Sequence, residues 1–258
     1  MPFTFFAHQA PVIPLKIARP RWFDGTALCI GSMAPDFAYP LGAWMQRQNH
    51  TAIGIVVWSL PVSLVICWAI RTWVAETAFA QLPDAGWFRL HSYRVLATRR
   101  PPVLQTVVSV LLGATIHVLI DAFTHVDRFG ALWLNFDSRM VTIPMRGETE
   151  LARALQDAGH TFGTMLGIAL LVYVGHGLLL ERWYGTETVA RARRFSLLRS
   201  QRVVFWCVVA LGLPFGVLWS LATEAYAIHR LIDAVAITTA VACALPVCRP
   251  RAVIRECR

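Results

Sequence analysis

Gly113-Ala114-Thr115-Ile116-His117-Val118-Leu119-Ile120-Asp121-Ala122-Phe123-Thr124-His125 closes a long apolar segment, yet it carries three polar groups at four-residue spacing. In a helix each four-residue step advances about 40° and rises about 6 Å. His117, Asp121 and His125 therefore share a sector of about 80°, spread over about 12 Å along the axis. That spread is long for one ion held by all three. It suits two neighbouring ions roughly 3.5–4 Å apart, with Asp121 between the two imidazoles. Ionisable groups in apolar helices are costly and have partners, so the rest of the chain is read for what meets them.

The composition states the setting. Hydrophobic residues make up 56% of the 258 and the mean hydropathy is +0.52. Charged residues are 15%, against about 25% in ordinary soluble domains. This is a membrane composition. The net charge of +9 is almost wholly arginine, since Lys16 is the only lysine. The arginines fall in short connections between apolar runs, as topology signals do, which argues against nucleic acid as a partner. The six cysteines form no CxxC pair, and Cys67, Cys207 and Cys243 lie inside apolar runs as small hydrophobes. The N-terminus lacks a charged region followed by an apolar core, so insertion is expected to be directed by internal helices.

The hydropathy pattern predicts an all-α, polytopic helical bundle with five transmembrane helices, at about 52–73, 103–123, 161–180, 203–222 and 229–248. Pro61 and Pro214 fall inside the first and fourth as expected kinks. Residues 1–51 are cut by Pro11, Pro14, Pro20, Pro35 and Pro40 into pieces too short to span. They read as short helices at the membrane surface or folded into the mouth of the bundle. The whole chain, 1–258, is expected to be one membrane domain: an interfacial N-terminal region to 51, a bundle over 52–248 and a basic tail over 249–258.

Five spans put the termini on opposite sides. Nine basic residues fall on the side of the N-terminus and the 124–160 loop, and fifteen on the other. The positive-inside rule then makes the C-terminus cytoplasmic and turns the 124–160 loop outward.

That topology sorts the eight histidines. His8, His50, His117, His125 and His160 can all reach the outward face, as can Asp36 and Asp121. Imidazole and carboxylate are ligands for zinc, and equally for manganese or iron. Asp36 follows Pro35 in Gly31-Ser32-Met33-Ala34-Pro35-Asp36-Phe37, where proline restricts Ala34 to extended or turn backbone and presents the carboxylate from an irregular turn. His50 stands fourteen residues later, at the start of the first span. His91 and His176 fall toward the other side. His229 sits with Glu224, Arg230 and Asp233 in what reads as a structural interfacial cluster. No G-x-S-x-G or phosphate-binding glycine loop is present.

Several stretches together resemble a bacterial membrane family, domain of unknown function 4184. They are Met1-Pro2-Phe3-Thr4 with His8, Lys16-Ile17-Ala18-Arg19-Pro20, Ile30 to Phe37, His50-Thr51, and Gly113 to His125. The resemblance covers nearly the whole chain and implies architecture rather than activity. More distantly, an Asp, a His fourteen residues on, then H-x-x-x-D and another His is similar to the zinc-dependent phospholipase C and membrane-bound metal-dependent hydrolase superfamily. That likeness implies His8, Asp36, His50, His117, Asp121 and His125 as metal ligands and phosphoesters as substrates. The superfamily's later H-x-x-x-E is absent, because Thr164 stands four residues after His160. One or two ions are implied rather than three.

The leading expectation is a metal-dependent phosphoester hydrolase in the bacterial inner membrane. It would hold one or two divalent ions, zinc first among them, on His8, Asp36, His50, His117, Asp121, His125 and His160. Asp36 and Asp121 would be catalytic, and a lipid-linked phosphoester at the outer interface is the candidate substrate. The alternative is a non-enzymatic transporter, ion relay or assembly factor with a structural His/Asp cluster.

Overall fold

The computed structural model describes residues 4–84, 86–144, 147–221 and 227–252. The opening residues 1–3, Arg146, Glu224 and the tail beyond 252, with Arg255, Cys257 and Arg258, lie outside the described residues. Among the described residues, five helices are long and apolar enough to cross a membrane: Ala52–Gln81, Val103–Trp133, Leu151–His176, Arg199–Ser220 and Ala227–Ala244. They mark a multi-pass membrane protein of the expected all-α class.

The N-terminal region forms α1 (Thr4–Gln9), α2 (Ile13–Ala18), α3 (Gly25–Gly31), a 3-10 segment (Ala34–Leu41) and α4 (Ala43–Asn49). The first long helix is α5 (Ala52–Gln81), capped by the Thr51 hydroxyl, which accepts from the Gly54 amide at 3.0 Å. Helix α6 (Val103–Thr124) continues through a turn into α7 (Phe129–Trp133). A hairpin of β1 (Met140–Ile143) and β2 (Gly147–Glu150) precedes α8 (Leu151–His176). Helices α9 (Leu179–Tyr184), α10 (Thr186–Ala192), α11 (Arg199–Ser220) and α12 (Ala227–Ala244) follow.

The two expected prolines act differently. Around Pro61 the helix widens instead of breaking: Ile55–Ser59 is π-helical, and the Leu60 amide donates to the Ile55 carbonyl five residues back. The wider turn makes room for a ring that would otherwise meet the carbonyl four residues earlier. Pro214 interrupts α11, whose first half ends at Ala210, four residues before the ring.

Several span boundaries differ from the hydropathy windows: α11 runs Arg199–Ser220 rather than 203–222, and α12 runs Ala227–Ala244 rather than 229–248. Helix α5 runs to Gln81 rather than 73. Helix α8 begins at Leu151 rather than 161, since polar Arg153, Gln156 and Asp157 extend the helix without lowering its stability. It stops at His176 rather than 180, because Leu178 takes a left-handed conformation with φ 53°.

The chain divides into two compact units. One holds the residues up to Ala38, Ala43–Leu64 and Val103–Leu170; the other holds Tyr39–Gly42, Val65–Pro102 and the residues from Leu171 on. In the first, α3 crosses α6 at two glycines. A Cβ on Gly31 would lie 2.4 Å from the Val110 carbonyl oxygen, and one on Gly113 would lie 2.5 Å from the Leu28 carbonyl oxygen. Only glycine allows that approach. Polar contacts fix the same crossing: Thr106 Oγ1 donates to Asp24 Oδ2 at 2.8 Å, and the Asp24 amide donates to Ser109 Oγ at 3.0 Å. A second close contact puts α1 on Gly163 and Gly167 of α8, where a Cβ would meet Ala7 at 3.0 Å and the Phe6 carbonyl oxygen at 2.6 Å. Lys16, counted from sequence as a topology charge, is buried and donates to the carbonyls of Pro20 and Phe23 at 2.6 and 2.8 Å.

In the second unit, Phe205, Ala242, Cys243 and Cys248 form an apolar core with Trp73, Val74 and Ala78. Its charged groups close on one another. Arg193 pairs with Asp84 at 2.6 Å, and Arg94 donates to the Glu76 and Ala192 carbonyls.

Candidate metal centre

The first unit's two close crossings converge on one spot. The α1 contact with α8 brings His8 beside His160, with ring centroids 6.0 Å apart. The glycine crossing brings the end of α3 to α6, so the Ser32 carbonyl reaches His117 Nδ1 at 2.8 Å. One residue past the α4–α5 junction's Asn49, His50 gives its Nδ1 to the Gln46 carbonyl, also at 2.8 Å. Asp36 enters on the third residue of a 3-10 segment, where an irregular turn was expected.

Both carbonyls can only accept, so Nδ1 of His50 and of His117 carries the proton. The two Nε2 atoms then face each other at 3.1 Å. Asp36 Oδ1 lies 3.3 Å from His50 Nε2 and 3.5 Å from His117 Nε2. Asp121 Oδ2 lies 3.4 and 3.3 Å from the same atoms. Ligand atoms from all four residues lie within 4.8 Å of one another, and all four are buried. An ion with bonds of about 2.0–2.1 Å in a tetrahedral shell separates its ligands by about 3.3–3.4 Å. The five measured edges of 3.1–3.5 Å match that figure. This set could hold a metal ion. Without a cation or extra protons, two lone pairs and two carboxylates would repel across a dry interior.

The other oxygens of the same carboxylates face a second, looser ring. His8 Nε2 stands 3.7 Å from Asp36 Oδ2 and 4.0 Å from Asp121 Oδ1. His125 Nδ1 stands 3.6 Å from Asp121 Oδ1. The His160 ring lies 5.9 Å from that of His125, centroid to centroid. His8 Nε2, Asp121 Oδ1 and both ring nitrogens of His160 are buried without a hydrogen-bond partner among the described residues. Asp121 therefore sits between the imidazoles of His117 and His125, the arrangement expected from four-residue spacing. All seven residues named from sequence come together. His160 does so from within α8, not from a position just before it.

Burial pushes the His8 imidazole down to about 3, and His117 beside it adds to the shift against the opposing pull of Asp36 and Asp121. His8 is thus neutral at pH 7 and keeps a lone pair to donate. Burial alone would raise the Asp36 carboxyl, but His117, His50 and His8 around it hold it well below the usual carboxylate range.

A cavity of about 650 Å³ opens against this cluster. His50, Asp121 and His125 form part of its wall, while Asp36, as buried as Asp121, does not line it. Arg47, Arg128 and Arg153 line it as well. From sequence these three were counted only as topology charges. Their spacing from ligands was a usable signal, since Arg47 lies three residues before His50 and Arg128 three after His125. The carbonyls of Ser32 and Gln46 that orient the imidazoles had no signal, because backbone position is invisible in side-chain patterns.

A family model described as a domain of unknown function, DUF4184, matches residues 1–250. No curated protein and no solved structure matches the chain, so the wider likeness to zinc-dependent phospholipases finds no counterpart there.

Proposed function

The chain belongs to the DUF4184 family, and we propose that it is a membrane-embedded, metal-dependent phosphoester hydrolase. The observation that carries this reading is the tetrahedral spacing of His50 Nε2, His117 Nε2, Asp36 Oδ1 and Asp121 Oδ2, at 3.1–3.5 Å over five edges.

Four protein ligands close a tetrahedral shell, which is the pattern of a structural ion. Catalysis needs an open position. His8 Nε2 and Asp121 Oδ1 lack hydrogen-bond partners among the described residues, which supports a second ion that His8, Asp121, His125 and His160 would hold. Zinc fits the nitrogen-rich ligand set best. A divalent ion with a free site lowers the pKa of bound water to about 7 and polarises the phosphoryl oxygen.

The chain's own groups supply the rest. Asp121 and His125 reach the cavity, which supports giving them the positioning of the attacking water, while Asp36 serves as a ligand. In the reaction, the water oxygen bonds to phosphorus as the ester P–O bond breaks. One water proton ends on the departing alkoxide, so that water and ester become alcohol and phosphate. The positive-inside count supports a site on the outer face of a cytoplasmic membrane.

The test is metal content of the purified protein by mass spectrometry, beside release of phosphate from ester substrates. We expect up to two ions per chain, with the tetrahedral ion lost in His117→Ala and Asp121→Ala. Unchanged stoichiometry in both variants would sink the metal centre. Intact metal with no phosphate release from any ester would sink the hydrolase.

A further inference from the structure

The wall of the cavity changes character along α6. Arg128, just past the end of α6, lines it together with Arg47 of α4 and Arg153 of α8, the last also paired through Nε with Glu150 at 3.3 Å. Against these three guanidinium groups the wall sets one carboxylate outside the cluster, Asp127. On α6 the wall is Val118 and Ala122, and past the helix end it is Val126. Val118 and Ala122 follow at four-residue spacing and so form an apolar row about 6 Å long, which Val126 extends from the turn. Asp121 and His125 form the row beside it. Val118 lies within α6, and Arg128 lies past the helix end at Thr124.

We propose that this cavity binds a phosphate monoester carrying an alkyl tail. The dianionic head is held by Arg47, Arg128 and Arg153 over the His125–Asp121 side of the cluster, and the tail runs along Val126, Ala122 and Val118 into the membrane. Guanidinium groups bind phosphate oxygens as pairs of parallel, charge-assisted hydrogen bonds. A terminal phosphate offers three such oxygens, whereas a diester offers two. The apolar row matches a ligand whose head lies at the interface and whose body lies in hydrocarbon. A soluble phosphate would leave that row without a partner. This inference rests on the metal-centre reading for its chemistry, but not for its anion recognition, which belongs to the arginines.

The experiment uses the full chain in lipid nanodiscs, with metal content measured on every sample. Binding of dodecyl phosphate, methyl phosphate and dodecyl trimethylammonium is titrated on the parent protein, Arg47→Gln, Arg128→Gln, the double variant and Val118→Asp. The expected result is saturable dodecyl phosphate binding at one per chain, weakened about 10-fold by each arginine change, with metal content unchanged. Methyl phosphate should bind at least 10-fold more weakly than dodecyl phosphate on the parent, and Val118→Asp should erase that preference. Equal affinity in the parent and both arginine variants overturns the clamp. Equal affinity for methyl and dodecyl phosphate overturns the tail groove, and saturable binding of the cationic amphiphile overturns the charge assignment. If the parent protein carries no metal, the hydrolase reading fails, while arginine-dependent phosphate binding by that same sample still upholds the clamp.

Discussion

The two compact units bury polar groups in opposite ways. In the unit that holds α9 to α12, charge is closed within the chain. Arg193 meets Asp84 and Ser92 at 2.6 and 3.0 Å, and Gln201 meets the Arg249 carbonyl at 2.6 Å. Its unpartnered atoms, such as Trp73 Nε1 and Arg89 Nε, are single and scattered. In the other unit, His8 Nε2, Asp36 Oδ1, Asp121 Oδ1 and both His160 nitrogens are unpartnered in one cluster. An unsatisfied buried polar atom costs about 1–3 kcal/mol, so five together are a burden that a bound cation relieves. The contrast separates polarity closed within a fold from polarity that could hold a metal ion.

The largest effect should come from breaking the tetrahedral set. Asp121→Ala removes the group proposed to hold both ions, and we expect metal content at background and phosphate release down by about 1,000-fold or more, read by mass spectrometry and a phosphate assay. Next come His8→Ala and His160→Ala, which leave the four-ligand set whole. These should lower the stoichiometry from two ions to one and activity by about 100-fold; a loss of both ions would show that the two rings are one site. Gly31→Val then tests whether the crossing positions the centre. Its Cβ would sit 2.4 Å from the Val110 oxygen, so we expect a loss of about 1–3 kcal/mol in stability by thermal melting. Metal affinity should fall with it, because Ser32 no longer holds His117. The smallest effect belongs to the other unit. Arg193→Ala removes a partly exposed pair and should cost about 1 kcal/mol at most, with metal content unchanged.

Much of this was legible in the residues. Apolar runs of twenty residues announce membrane helices because the hydrocarbon layer has a fixed thickness. The 117, 121, 125 register follows from helix geometry, and Asp121 does lie between two imidazoles. Boundaries were less legible. A hydropathy window cannot see that α8 starts at Leu151, since its first two turns are polar yet helical. It also cannot see the hairpin of β1 and β2, whose four-residue strands are too short to show an alternating pattern. The three cavity arginines were hidden in plain view, because a charge near a membrane helix end serves topology and ligand binding with the same residue type.

What the sequence determined by itself is the class of protein, five apolar helices with His and Asp in register on the second, because composition and helical period are local properties of the chain. What only the tertiary structure decided is that residues as far apart as His8 and His160 meet. That meeting depends on Gly31 against Gly113 and on Gly163 and Gly167 against α1, where absent side chains let backbones close. It depends equally on two carbonyls, of Ser32 and Gln46, that turn Nε2 of His117 and His50 toward one point. Contacts made by backbone atoms and by missing side chains leave no pattern of their own in a sequence, so the centre becomes visible only when the helices are packed.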